Sequence, residues 1–427
     1  MWSLGNHKRR YFYKRKHINP NKQKFHARRP AGINSESAKE AAMTPTGLTS
    51  LDMVLSGGLV AGSVTLIAGE PGIGKSTLLA QVAITIANTG KKVLYITGEE
   101  SPAQITRRLT RLTKNIPATL FFLNDTNVSI VAATIAHEKP HLTIIDSIQT
   151  MHHSESSGEA GSVSQVKSCG AIITEAAKHA HVPVILVGQV TKDGDIAGPR
   201  VLEHIVDTVL FLEGDAQHRY RILRAIKHRF GSSDETAFFA MTENGLEPVH
   251  DASQELLRDR PKNISGSSVT CLIEGHHAIL IEMQALLGTA GYATPVRRAT
   301  GVDSARLGML LAVLARRAGI NVHDKDVYAN AVGGIDARDP SIDLALAIAI
   351  ASAMKDTPIP PHIGVFGEIG LAGEIRPVSL PDIRIKEFAR LGFTKIILPK
   401  NQGNKKPAGC ECIEVATLRD ALQIIWS

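Results

Sequence analysis

The stretch GEPGIGKS at residues 69–76 sets a lysine and a hydroxyl directly after a glycine-rich turn, a combination suited to binding phosphate. It fits the pattern G-x-x-x-x-G-K-[ST]. An apolar run, SVTLIAG (63–69), precedes it, and STLLAQVAITIAN follows as a helical segment. In that setting the glycines let backbone N–H groups curl around phosphate oxygens, and the helix N-terminus adds its positive dipole end. Gly69, Glu70, Pro71, Gly72, Ile73, Gly74, Lys75, Ser76 and Thr77 are therefore the candidate cradle for ATP. Lys75 is expected at the β- and γ-phosphates and Ser76 on Mg²⁺. Asp146 closes the apolar run LTIIDS, where a second Mg²⁺-associated carboxylate belongs, although an aspartate there can also cap the next helix. Glu99 and Glu100 lie just past another strand. One of them can orient or deprotonate an attacking water, and Glu99 is the choice. Gln189 ends VPVILVGQ and is a candidate sensor of the γ-phosphate.

These groups have to be carried by a sheet. SVTLIAG, KVLYITG (92–98), LTIIDS (142–147) and VPVILVGQ (182–189) are short and rich in Val, Ile and Leu, with longer helical segments between them. That alternation predicts an α/β unit over 45–250, a parallel sheet covered by helices on both faces. The text turns polar at DASQELLRDRPKNISGS, and residues 251–266 are read as a linker. A second unit over 267–427 opens on the strands SVTCLIEG and AILIEMQAL. Helices at about 302–318 and 341–355 and a strand at KIILP complete an α+β pattern.

Composition limits the partners. Apolar residues make up 43% and charged residues 21%, enough for a substantial core. No run of about 18 uninterrupted apolar residues is present, so no membrane partner is expected. The net charge of +7 is concentrated at the start: residues 1–35 contain no acid but carry KRR, KRK and four further cations. The arm 1–44 is expected to be disordered, with nucleic acid as a compatible partner. The four cysteines, Cys169, Cys271, Cys410 and Cys412, form no C-x-x-C pair, which points to a reducing cytoplasm. The loops SGEAGSVSQVK (157–167) and QVTKDGDIAGPRVLEH carry Lys167, Lys192 and Arg200, suited to a nucleic-acid backbone or to plain connection.

Taken together, TGLTSLDMVLSGGLVAGSVTLIAGEPGIGKSTLLAQ, YITGEES, GSVSQVK, DGDIAGPRVLEH and KHRFG resemble the bacterial RadA (Sms) family of RecA-like DNA-repair ATPases, over about residues 45–427. The resemblance implies a RecA-like P-loop core, a homo-oligomeric hexameric ring and binding of single-stranded and branched DNA. It also implies work beside a RecA-type recombinase, with ATP driving branch migration or strand unwinding. It makes KHRFG (227–231) the family's K-x-R-F-G signature, which implies that Lys227 and Arg229 reach a neighbouring subunit's nucleotide or couple it to DNA. The family's N-terminal four-cysteine module is missing, so zinc is not expected.

The second unit resembles the proteolytic domain of Lon proteases, a ribosomal protein S5 domain 2-like α+β fold. VGGIDARDPSIDLALAIAIAS aligns Ser341 with the Lon nucleophile. Counting on from GEIGLAGEIRP, the position of the Lon lysine falls on Asp382, while Lys386 lies one turn further. Without that base, Ser341 reads as a helix N-cap with Asp343 in the first turn, and a peptidase is the disfavoured alternative. Arg297, Arg298 and Arg306 are the candidate DNA contacts of this unit. A nucleotide-switched DNA-binding module without motor activity is the other rival reading.

Overall fold

The computed structural model describes residues 43–189, 199–214, 220–275, 277–290, 294–402 and 407–426. Residues 1–42 of the basic arm, read above as disordered, and Lys192 lie outside the described residues, while Met43–Thr44 form a short strand paired with Leu59–Val60.

Nine strands form one sheet: β1 (Val64–Gly69), β2 (Val93–Thr97), β3 (Leu120–Leu123), β4 (Leu142–Asp146), β5 (Val184–Gln189), β6 (Thr208–Glu213), β7 (Tyr220–His228), β8 (Thr236–Thr242) and β9 (Gly245–Pro248). Their order is β9-β8-β7-β6-β1-β5-β4-β2-β3. The six from β6 to β3 run parallel, and β7, β8 and β9 continue antiparallel. The parallel strands read as unbroken apolar runs because both faces are covered. On β1, Ile67 packs with Leu78, Leu79 and Val82 of α1 (Lys75–Asn88). Val64 and Leu66 point the other way, to Val131 of α3 (Val128–Glu138) and Val166 of α4 (Val163–Ala180). A further helix of this unit, α2 (Pro102–Leu112), opens on a capping box between Ser101 and Gln104. The antiparallel extension is the difference from the expected all-parallel sheet.

The stretch read as a linker holds a short helix, Ala252–Leu257, capped by Asp251 and with Ser253 and Leu256 buried. Leu256 joins Ile222 and Phe238 of the large sheet in one apolar core with the second unit. That unit has a sheet of order β10-β11-β13-β12, from β10 (Ser267–Glu274), β11 (His277–Thr289), β12 (Arg297–Thr300) and β13 (Lys325–Ala331). Helix α5 (Ser304–Val313) and α6 (Asp343–Lys355) share its core. Every residue of α6 from Asp343 to Ser352 is buried, as expected of a helix apolar all round. Helix α7 (Pro381–Arg390) packs through Ile385 and Phe388 beside a small parallel sheet that includes Lys395–Pro399.

Candidate active site

The phosphate-loop residues turn between the end of β1 and the start of α1. Gly74 caps α1 with φ +117°, and a Cβ there would lie 2.9 Å from the Met241 methyl and 3.2 Å from Leu246. Only glycine meets both demands. Lys75, 5% exposed, donates from Nζ to the carbonyls of Gly69 (2.7 Å) and Glu70 (2.8 Å). Burial draws its ammonium down to about 8, against the opposing pull of Asp146, Glu99 and Glu70. Gly72, Lys75 and Ser76 face Glu99, Asp146 and Gln189 across a cavity of about 360 Å³. A glycine loop without side chains, a buried cation and carboxylates at the ends of β2 and β4 fit a nucleotide with Mg²⁺, Ser76 and Asp146 being the hydroxyl and carboxylate able to hold the ion.

The low titration point of Lys75 has a defined sign. Its folded value lies below the ordinary 10.5, so its charge costs stability at pH below about 8, and that cost fades as pH rises towards 10.5. Bound phosphate stabilises the ammonium, so nucleotide binding takes up protons above pH 8 and affinity falls there. Calorimetry in buffers of different ionisation enthalpy is expected to show this uptake for the wild type and none for Lys75→Ala.

Neighbouring side chains orient the carboxylates. Asp146 Oδ2 accepts from the buried Tyr95 hydroxyl at 2.8 Å. Glu99 Oε1 accepts from Ser147 Oγ at 2.8 Å and from Gln189 Nε2 at 3.4 Å. Glu100 instead pairs with Arg108. Tyr95 and Arg108 were missed in the sequence because neither belongs to a contiguous motif. Tyr95 looked like one more apolar residue of a strand, and Arg108 like one cation among three on a surface helix.

KHRFG lies at the far end of the sheet. In register, β7 places His228 opposite Thr208 and Lys227 opposite Val209, at the start of β6, whereas Gly69 pairs with Leu212 near its end. The two ends are about 13 Å apart at the rise of a strand. Lys227 Nζ donates to the carbonyls of Val206 (2.9 Å) and Glu203, and burial lowers its titration point. Arg229, its side chain 48% exposed, pairs at 3.1 Å with Asp207, which also accepts from the Val64 amide at the foot of β1. These two cations face away from the phosphate loop of their own chain.

The remaining candidates scatter. Lys167 is exposed on α4. Arg200 falls in a four-residue helix, its side chain outside the described residues. Arg297 and Arg298 are exposed on the edge strand β12. Arg306 turns inward: its Nε donates to Asp343 Oδ1 at 2.8 Å, and Nη2 pairs with Asp343 and Glu368. Because Asp343 is fully buried, this arginine is committed to compensating it.

The Lon-like serine is not a helix cap, and that expectation is corrected. Asp339 is the cap, accepting from the Ser341 amide at 2.9 Å, while Ser341 is 0% exposed. The Ser341 hydroxyl receives Nη1 of Arg384 at 2.8 Å. Arg384, itself 0% exposed, also donates to Cys271 O, to Ser379 O (2.9 Å) and to Asp339 Oδ2 (2.7 Å). A permanently charged guanidinium cannot serve as the general base of a Ser–Lys dyad, and Lys386 is exposed. The serine that aligns with the Lon nucleophile is one corner of a clamp built on the buried Arg384, joining α7 to β10. Arg384→Ala strands Asp339 and is expected to cost about 3–5 kcal/mol, read as a lower urea midpoint.

A phosphate loop after β1, a carboxylate closing β4 and this strand order define a RecA-like P-loop ATPase, a class that works on ATP with Mg²⁺, followed by a domain of the Lon C-terminal type. The AAA domain family matches residues 34–195, and the Lon protease (S16) C-terminal proteolytic domain matches 315–423. The DNA repair protein RadA of Bacillus subtilis is 44% identical over 397 residues, covering 92% of this chain and 86% of that protein. The RadA of Aquifex aeolicus is 46% identical over 381 residues, covering 89% and 85%. Among solved structures, the RadB recombinase aligns at 24% identity and TM-score 0.39, covering 49% of this chain and 100% of that one. The chain belongs to the RadA family of DNA repair proteins.

Proposed function

We propose that this chain is a DNA-stimulated ATPase of recombinational repair. It assembles into a ring, expected to be hexameric, binds single-stranded DNA and uses ATP hydrolysis to drive branch migration or strand unwinding. The observation that carries the ring is the separation of Lys227 and Arg229 from the phosphate loop of the same chain. A site whose cation faces the opposite way is completed by the next subunit in a head-to-tail arrangement. Ile226 and Phe230, which interleave with these cations, are 52% and 41% exposed, apolar surface of the kind an interface covers.

Within this reading the ATPase part spans residues 45–250 and the Lon-type part 267–427. Ser76 and Asp146 would hold Mg²⁺, which would supply neutralisation of charge on the nucleotide phosphates. Lys75 leaves its two carbonyl partners for phosphate oxygens. Glu99, held by Ser147 and Gln189, orients the attacking water and accepts its proton. Gln189, which donates to Glu99, couples the Glu99 end of the site to the DNA-facing side. Arg229 of the neighbour stabilises charge on the transferring phosphoryl group.

DNA is held by Lys167, Lys192 and Arg200, with Arg297 and Arg298 on the Lon-type part. Arg298 pairs in register with Tyr328, 40% exposed, so a ring able to stack on a base stands beside the cation. Arg306 is left out of this surface because Asp343 already holds it. The test is binding to a single-stranded oligonucleotide across salt concentration. Wild-type affinity is expected to fall at least about tenfold between 50 and 200 mM salt. Arg297→Ala and Arg298→Ala are each expected to reduce the slope by about 1. No binding at low salt overturns the reading.

A further inference from the structure

The nucleotide cavity carries three carboxylates, Glu99, Glu100 and Asp146, on the side facing Lys75. A triphosphate is strongly anionic, so an uncompensated carboxylate beside it opposes binding. Thr97 Oγ1 accepts from the amides of both Glu99 (3.3 Å) and Glu100 (3.2 Å). This tight turn sends the two adjacent side chains to different partners: Glu99 to Ser147 and Gln189, and Glu100 to Arg108.

Arg108 belongs to the inner face of α2. Its neighbours on that face, Ile105 and Leu109, are buried, whereas Arg107 and Arg111 are exposed. The Arg108 side chain is 19% exposed, its Nη2 is bonded to Glu100, and its Nη1 lies 3.8 Å from Asp146 Oδ2, the oxygen that also accepts from Tyr95. One guanidinium thus spans Glu100 and Asp146, the carboxylate placed for the metal.

We propose that Arg108 is a positioning residue that neutralises Glu100 and steadies Asp146, so that only Glu99 is free to act on water and the cavity accepts a triphosphate. This rests on the ATPase reading of the site. It makes Glu100 the reason Arg108 is needed, which a purely structural role for the arginine would not.

The experiment compares Arg108→Gln, Arg108→Lys, Glu100→Gln and the double variant, reading both ATP turnover and the affinity for a fluorescent ATP analogue, with thermal melting as a fold control. Arg108→Gln is expected to weaken nucleotide binding and kcat/KM about tenfold or more. Arg108→Lys is expected to stay within about threefold of wild type, and the double variant within about threefold of Glu100→Gln, because removing the carboxylate removes the need for its counter-charge. A double variant as weak as Arg108→Gln, or an Arg108→Gln protein that binds like wild type, overturns the proposal. Wild-type protein that binds the analogue but turns over no ATP contradicts the ATPase reading instead, and the binding comparison still decides the role of Arg108.

Discussion

Arg229→Ala is expected to lower ATP turnover by about 10³-fold or more while leaving nucleotide binding intact, because a cation supplied across an interface acts on the transferring phosphoryl and not on the ground state. The same substitution separates action within a chain from action between chains. Arg229→Ala subunits keep a complete phosphate loop, and Lys75→Ala subunits keep a complete Arg229. Each protein alone is expected to be inactive. In a 1:1 mixture, random assembly into head-to-tail rings pairs a sound loop with a sound neighbouring arginine at about a quarter of the interfaces. Turnover is therefore expected to reappear on mixing. An inactive mixture, with mixed rings verified by subunit exchange, would mean that Arg229 serves its own chain, against the strand register that carries it away from Gly69.

Lys75→Ala is the second large effect. The ammonium is buried under the loop with two carbonyl partners and three acidic neighbours, and nothing else among the described residues supplies a cation at that point of the cradle. Its removal is expected to cost at least about 10²- to 10³-fold in turnover, and to abolish strand movement with it. The fold should survive, since a lysine held below its ordinary titration range is a net cost to stability at neutral pH. Unchanged melting with lost turnover is the expected pair of results, measured by calorimetry and phosphate release.

What could be read from the sequence and what could not divide along a physical line. The phosphate loop is contiguous, and its chemistry depends on local backbone freedom and one helix end, so GEPGIGKS carries its own geometry. The parallel strands were legible for a similar reason: burial on both faces writes an unbroken apolar run. The antiparallel extension was not, because Tyr220–His228 alternates charge with apolar residues and ends on KHRFG, which taken alone resembles a solvated turn. The cap at the second unit was misassigned by two residues. Both Asp339 and Ser341 are good capping types, and only the arrival of Arg384 from 43 residues away decides between them. Arg306 was misleading in the same way: its partner Asp343 is 37 residues distant, and an arginine looks free until its carboxylate is found. Pairings of this kind are set by tertiary packing, which spacing along the chain does not encode.

The Lon-type unit bears on what this family member has become. In a Ser–Lys peptidase the serine needs a base that can lose its proton. Here Ser341 is sealed from solvent and hydrogen-bonded to a residue that cannot lose one. Ser341 is thus tied into the fold, and Arg297 and Arg298 are exposed cations that this unit offers to the proposed DNA contact.

Branch migration on a forked DNA substrate, run beside a RecA-type recombinase, tests the central claim most directly. Wild-type protein with ATP is expected to extend the branch, with ATP turnover raised by single-stranded DNA, and Lys75→Ala is expected to do neither. Nucleotide-dependent DNA binding with no movement of the branch by the wild-type protein would contradict the account and leave an assembly module without a motor.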